Sequence, residues 1–218
     1  MAKATKVILK PGKEQSLLRF HPWIFSGAIQ KIDGSPQEGD IVEVTGSNND
    51  FLAVGHYQVG SIAVRVLSFV PCTIDQKFYN EKINLAYRLR VAIGLAESGH
   101  TNAYRLIHGE GDNLPGLIVD FYNGTAVVQM HSVGMFCDRK MIETALKEVY
   151  GSSLKAIYNK SEGTLPYKAG LEPENSYVYG RPESKEAMEI GLLFHADWEK
   201  GQKTGFFVDQ RDNRSLLE

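Results

Sequence analysis

Apolar and polar positions alternate in short bursts over the first third of the chain and shift to a helical period after Pro71. Residues 4–10 alternate well enough for a strand, and Pro11-Gly12-Lys13 turns it. Residues 14–20 have helical character, and His21-Pro22-Trp23-Ile24-Phe25 forms a compact aromatic knot. Short strands are predicted at 28–32, 40–45, 51–57 and 61–69. Turn chemistry separates them in Asp33-Gly34-Ser35-Pro36, in residues 46–50 and in Val59-Gly60. Val42, Val44, Val64, Val66 and Phe69 supply β-branched and aromatic material for a sheet that closes on itself. Residues 1–73 therefore read as a small β-barrel with little core to spare.

From Ile74 to Ser98 there is no Pro and one Gly, and Phe78, Ile83, Ala86, Tyr87, Arg90, Ile93 and Ala96 recur at helical intervals. The pattern predicts a long amphipathic helix capped by Thr73 or Asp75. A strand at 103–107, a Gly-rich turn through 108–116 and strands at 117–122 and 125–131 follow. Asn123-Gly124 between the last two is a strong hairpin signal, because both residues tolerate positive φ. A helix over 138–150 and a strand over 154–159 come next. Residues 160–185 read as loop, and two strands at 187–192 and 193–198 close the region. The order strand–strand–helix–strand–strand makes 74–200 a small α+β domain, and the chain as a whole α+β.

With 218 residues the chain holds one large or two ordinary domains, and 43% hydrophobic with 23% charged residues is the profile of a soluble globular protein. No apolar run approaches the roughly 20 residues that span a bilayer, and no signal peptide opens the sequence, so the expected location is cytoplasmic, with no membrane partner. A net charge of −2 does not advertise a nucleic-acid binder, but its distribution is uneven. Lys3, Lys6, Lys10, Lys13 and Arg19 stand against Glu14 in the first twenty residues, whereas Glu172, Glu174, Glu183, Glu186, Glu189, Asp197 and Glu199 crowd 171–199. An ordinary solvated surface accounts equally well for either run. Cys72 and Cys137 are far apart, without CxxC spacing, and read as reduced structural thiols. Pro71-Cys72 opens a helix with no acidic or His partner nearby and is not expected to be catalytic. Glu110 and Asp112 read as a polar turn capping two strands, and no metal site is expected.

The densest chemistry lies at 201–214, "GQKTGFFVDQRDNR", four residues before the last residue, Glu218. Gly201 and Gly205 allow close backbone approach, and Lys203 and Thr204 offer a cation and a hydroxyl. Phe206 and Phe207 could stack on a flat ring, while Asp209, Arg211 and Asp212 could engage ribose hydroxyls or a carboxylate. The order of residues is not that of a phosphate-binding P-loop. The plain alternative is a loop into a capped helix, with Phe206, Phe207 and Val208 in a core.

This segment resembles the motif that precedes the catalytic domain in the rRNA large subunit methyltransferase I family, whose members use S-adenosylmethionine (SAM) to methylate carbon 5 of a cytosine in large-subunit rRNA. "RFHPWIFSGAI" (19–29) and "GDIVEV" (39–44) resemble that family's N-terminal PUA domain, a small RNA-binding barrel. "YRLIHGEGDNLPGLIVDFY" (104–122) resembles the start of its central domain. The resemblance implies that Gln202, Lys203, Thr204, Phe206, Phe207 and Asp209 contact SAM, with Arg211 suited by charge to the methionine carboxylate. Ribosomal RNA is the implied partner, and Lys10, Lys13, Arg19, His21 and Arg65 are the candidates to hold it. For each, a solvated surface residue is the plain alternative. Trp23 and Phe25 are expected to pack the barrel.

The family continues into a Rossmann-type domain with a Gly-rich turn and a later nucleophilic cysteine, and neither is found in 1–218. Residues 201–218 are thus read as the start of a methyltransferase domain that this chain lacks, with the nucleophilic cysteine expected beyond Glu218. No catalytic residue is expected here, and the chain alone is expected to be inactive, with weak or absent SAM binding. A homodimer is compatible with the sequence. A free-standing PUA-type RNA-binding protein without catalytic activity is the alternative.

Overall fold

The computed structural model describes residues 5–166, 170–171 and 173–216. Lys3, Ala4 and Glu172, which entered the charge runs and the first predicted strand, lie outside the described residues. So do Leu217 and Glu218, the last two residues of the segment read as the start of a further domain.

The first third of the chain builds one mixed sheet. Its elements are β1 (Lys6–Leu9), α1 (Gln15–Leu18), β2 (Trp23–Phe25), β3 (Ile29–Asp33), β4 (Ile41–Thr45), β5 (Phe51–Tyr57) and β6 (Ile62–Ser68). The strands lie in the order β2-β6-β5-β4-β1-β3, with β1 parallel to β4 and the other neighbours antiparallel. Alternate residues Val7, Leu9, Val42, Val44, Val64 and Val66 point into one core with Ile24 and Leu17. Two expectations are corrected here. The sheet curls but does not close, because β2 and β3 remain its unpaired edges. The aromatic knot is an edge strand in which Ile24 turns inward and Phe25 outward, leaving Phe25 49% exposed rather than packed in the barrel. With Ile24 facing the core, period-two alternation turns its neighbours Trp23 and Phe25 to the other face.

The second body begins with α2 (Gln76–Ala92), whose N-terminus is capped by the Asp75 carboxylate accepting the Phe78 N–H at 3.0 Å. The helix ends earlier than the pattern predicts, because Gly94 adopts φ +74° and breaks the helical path. Then come β7 (Ala103–His108), a 3-10 turn (Gly109–Asp112), β8 (Leu117–Tyr122), β9 (Thr125–Met130), α3 (Val133–Cys137), α4 (Arg139–Tyr150), β10 (Ala156–Asn159) and β11 (Ser176–Gly180). The sheet order is β11-β10-β9-β8-β7, with β10 parallel to β9 across the helical connection. Asn123 and Gly124 both take positive φ, as a tight hairpin with the twist of its strands requires. Two elements went unpredicted: α3, capped by the Ser132 hydroxyl, and β11, an edge strand too exposed to alternate clearly.

Both faces of this sheet are covered. Leu117, Val119 and Phe121 of β8 meet α2 and α4 through Tyr79, Ile83, Ile142 and Tyr150. Tyr122 points the other way, toward Trp198, Ala196 and Val208. That second face is covered by a hairpin of β12 (Glu186–Glu189) and β13 (Leu192–His195) and by the C-terminal segment leading into α5 (Arg211–Ser215). The hairpin turns at Ile190 and Gly191, both with positive φ, two residues before the predicted boundary. Among the described residues no helix is long and apolar enough to cross a membrane.

The two bodies lock together at a few points. Leu67 of β6 joins the helical core of the second body. The buried His56 ring faces the Asp138 carboxylate at 2.9 Å, and Tyr79 donates to the same oxygen at 2.5 Å. Gly134 lets α3 lie flat against the His56 ring, where any Cβ would collide.

Candidate cofactor site and RNA-facing surface

The site is organised by Asp120, the one charged residue in the strand Leu-Ile-Val-Asp-Phe-Tyr. Its side chain is 0% exposed, and a buried carboxylate requires partners. Arg105 on neighbouring β7 supplies two hydrogen bonds, from Nε at 2.8 Å and Nη2 at 2.9 Å. This hydrogen bonding raises the Arg105 pKa further and keeps the guanidinium charged. The third partner comes from the C-terminal segment: Thr204 donates its hydroxyl to Asp120 at 2.5 Å.

Around this link the segment is tied down along its length. The Tyr122 hydroxyl lies 3.0 Å from the Thr204 hydroxyl and donates to the Phe206 carbonyl at 3.2 Å. Burial raises the Tyr122 pKa, so the phenol stays protonated. Lys160 donates to the Gly201 carbonyl at 2.5 Å. Gly205, at φ +104°, passes so close to the Trp198 backbone that no side chain fits. At the far end, Arg214 clasps the buried Glu189 carboxylate at 2.7 and 2.8 Å.

The pinned segment forms one wall of a cavity of about 450 Å³. Leu89 of α2 and Ile93, just past its end, supply an apolar side, and Arg105, His108, Gly111 and Asp112 a polar one. Val208, Asp209 and Arg211 close it. Arg90 holds Asp112 through paired hydrogen bonds of 2.6 and 2.7 Å, and Asp112 also accepts the His108 N–H. The Arg211 Nε is buried and has no hydrogen-bond partner among the described residues. The volume, the apolar wall and the few convergent polar groups are those of a small-molecule site.

Of the seven residues expected at a cofactor, Asp209 and Arg211 line this cavity. Thr204 is wholly buried and engaged by Asp120 and Tyr122. Phe206 is half-buried, against Phe194 at 5.2 Å and under the Arg214 guanidinium. Gln202, Lys203 and Phe207 are exposed, and the Lys203 ammonium sits 4.6 Å over the Phe207 ring. Arg105, His108 and Asp120 were not singled out in the sequence, although a lone Asp inside an apolar strand was a readable signal of a buried partner.

The five RNA candidates all lie on the six-stranded body. Lys10, Lys13, Arg19 and His21 are exposed, and Lys10 donates to the Gly27 carbonyl at 2.9 Å. His21 and Arg65 flank Trp23, one through a ring contact of 5.9 Å and the other as its cross-strand partner. Cys72 and Cys137 are free thiols at the surface. Glu110 accepts the Trp23 indole N–H at 2.8 Å, and Asp112 is held by Arg90, so the turn carries structural polar contacts.

Residues 7–69 match the PUA-like domain family. Ribosomal RNA large subunit methyltransferase I of Erwinia tasmaniensis is 37% identical over 213 residues, 96% of this chain. That of an Escherichia coli strain is 35% identical over 215 residues, 97% of the chain. The chain belongs to this family. It spans about half the length of the curated relatives it matches, 53% in both cases. A candidate SAM-dependent methyltransferase from Streptococcus mutans shares the fold, with a TM-score of 0.78 at 20% identity over 97% of this chain and 53% of its own. A candidate methyltransferase solved in complex with SAH matches equally well. The PUA-like match coincides with the six-stranded sheet, and the family members match across both bodies.

Proposed function

We propose that this chain is part of a SAM-dependent methyltransferase acting on carbon 5 of a cytosine in large-subunit ribosomal RNA. In this reading the barrel over 1–73 binds RNA. The α+β body over 74–200 carries the cavity, and 201–218 leads into the methyltransferase domain. The reading also requires a Rossmann-type domain and a nucleophilic cysteine to complete methyl transfer.

One observation carries the reading: the segment pinned by Thr204 and Asp120 brings Asp209 and Arg211 to the mouth of a cavity on a body joined to a PUA-like barrel. The residues present fit SAM. The unpartnered Arg211 Nε, with Arg105 beside it, suits the methionine carboxylate, and Asp209 suits ribose hydroxyls. Leu89 and Ile93 give an apolar wall for a flat ring. When bound, SAM supplies the methyl group. The chain's own residues orient it and exclude water, while Asp120 holds Arg105 charged and in place.

The test is methyl transfer by the whole protein from labelled SAM to large-subunit rRNA, followed by digestion to nucleosides. The proposal expects label in 5-methylcytidine and an increase of about tenfold in the KM for SAM in Arg211→Ala, as for loss of a hydrogen bond to a charged group. Label in another nucleoside would replace the target, and unlabelled rRNA would end the reading.

A further inference from the structure

The turn Gly109-Glu110-Gly111-Asp112 gives the cavity part of its polar side, and its backbone is loose by composition. A glycine on either side of Glu110 sets few steric limits, and Gly109 at φ +52° uses that freedom. Side chains must therefore fix where the turn sits, and its two carboxylates do so from different sides. Asp112 anchors it inward, held by Arg90 at 2.6 and 2.7 Å and accepting the His108 N–H at 2.6 Å. Glu110 anchors it outward, to the other body: its Oε1 accepts the Trp23 indole N–H at 2.8 Å. Gly111 and Asp112, next along the chain, line the cavity.

The donor is itself held in place. Ile24 faces the barrel core, so Trp23 lies on the opposite face of β2, where its indole meets the second body. The His21 and Phe25 rings stand edge-on to the indole at 5.9 and 6.5 Å, and Trp23 pairs with Arg65 across the ladder to β6. Arg65 also lies in the electrostatic field of Glu110, so β2 and β6 both address the same carboxylate. Glu110 is half-buried. Without its indole donor it would keep part of its desolvation cost and lose the bond that offsets it, and a glycine-flanked turn answers by moving. A displacement of about 1 Å in a binding wall is enough to spoil the placement of a ligand.

We propose that Glu110 is a positioning residue for the cofactor cavity: its hydrogen bond to the Trp23 indole holds the Gly109–Asp112 turn in place, so that the barrel sets part of the cavity's polar wall. The inference rests on the reading of that cavity as the SAM site. Glu110 and Trp23 are not among the residues that line the cavity, so their effect on the cofactor passes through Gly111 and Asp112. The bond ties the body proposed to hold RNA to the body proposed to hold the cofactor.

The test is steady-state methyl transfer from labelled SAM by the whole protein, with rRNA saturating and every variant well below its melting temperature. Trp23→Phe keeps an aromatic ring and removes the donor, Glu110→Ala removes the acceptor, and Glu110→Gln keeps an acceptor oxygen without the charge. The inference expects the KM for SAM to rise by about threefold to tenfold in Trp23→Phe and in Glu110→Ala, with kcat near that of the parent. The double variant should be no worse than either single one, and Glu110→Gln should stay within about twofold of the parent. If Glu110→Gln behaves like Glu110→Ala, charge rather than the indole bond acts and the Trp23 assignment is overturned. A change confined to kcat would overturn it too. If these variants leave the KM unchanged while Arg211→Ala raises it, the positioning role is wrong and the cavity reading stands. If Arg211→Ala also leaves it unchanged, the SAM reading of the cavity fails together with this inference. Should Glu110→Ala not fold, Trp23→Phe against Glu110→Gln carries the same comparison.

Discussion

In the six-stranded body, Lys10, Lys13, Arg19 and Arg65 have no carboxylate within ion-pair distance among the described residues. In the five-stranded body, Arg90, Arg105 and Arg214 each grip a carboxylate through two hydrogen bonds, and all three carboxylates are largely buried. The contrast separates two uses of the same side chain. A buried pair must recover its desolvation through good geometry, so it fixes the orientation of whatever carries it. Here it fixes the C-terminal segment against the sheet. A cation without a carboxylate partner keeps its charge uncompensated, and its field reaches outward to a polyanion.

The largest effect should come from breaking the deepest pair. Asp120→Ala leaves Arg105 without its carboxylate and releases Thr204, and should cost about 3–5 kcal/mol in urea denaturation. A cost near that of a surface pair would break the comparison. Gly205→Ala places a side chain against the Trp198 backbone at positive φ and should cost about 1–3 kcal/mol in the same assay. Lys6→Ala removes a half-exposed pair with Glu43 at 2.9 Å on the barrel and should change stability by less than about 1 kcal/mol.

A smaller effect concerns His131, which lies near Glu110, Arg105 and Arg65. Desolvation by its neighbours lowers its pKa despite an exposed edge. Its neutral form is favoured on folding, so the contribution to stability is full above the ordinary imidazole value of about 6.5 and is lost as pH falls through the lowered folded value. A His131→Gln variant should flatten that part of the stability–pH curve slightly, and an unchanged slope would remove His131 from the account.

Where local rules decide conformation, the sequence was legible. The bounds of β5 and β8 match their apolar runs, Asn123-Gly124 is the hairpin turn, and Asp75 is the helix cap. Legibility failed where context decides. The strand β11 sits at an edge and carries no alternation, and Trp23 and Phe25 looked like core because aromatic residues usually are. At the site, residues 201–214 stood out by composition, yet nothing local says that Thr204 turns inward while Asp209 and Arg211 turn to a cavity. Those directions depend on Asp120 and Arg105, which meet the segment only after β7, β8 and the C-terminal chain have packed.

The most direct measurement is the salt dependence of binding between this chain and a fragment of large-subunit rRNA, for the parent and for Lys10→Gln, Lys13→Gln, Arg19→Gln and Arg65→Gln. The account predicts that log affinity falls linearly with log salt, and that each substitution reduces the slope by about one phosphate contact. A slope untouched by all four substitutions, or binding that ignores salt, would contradict the claim that the barrel holds its cations unpaired for RNA.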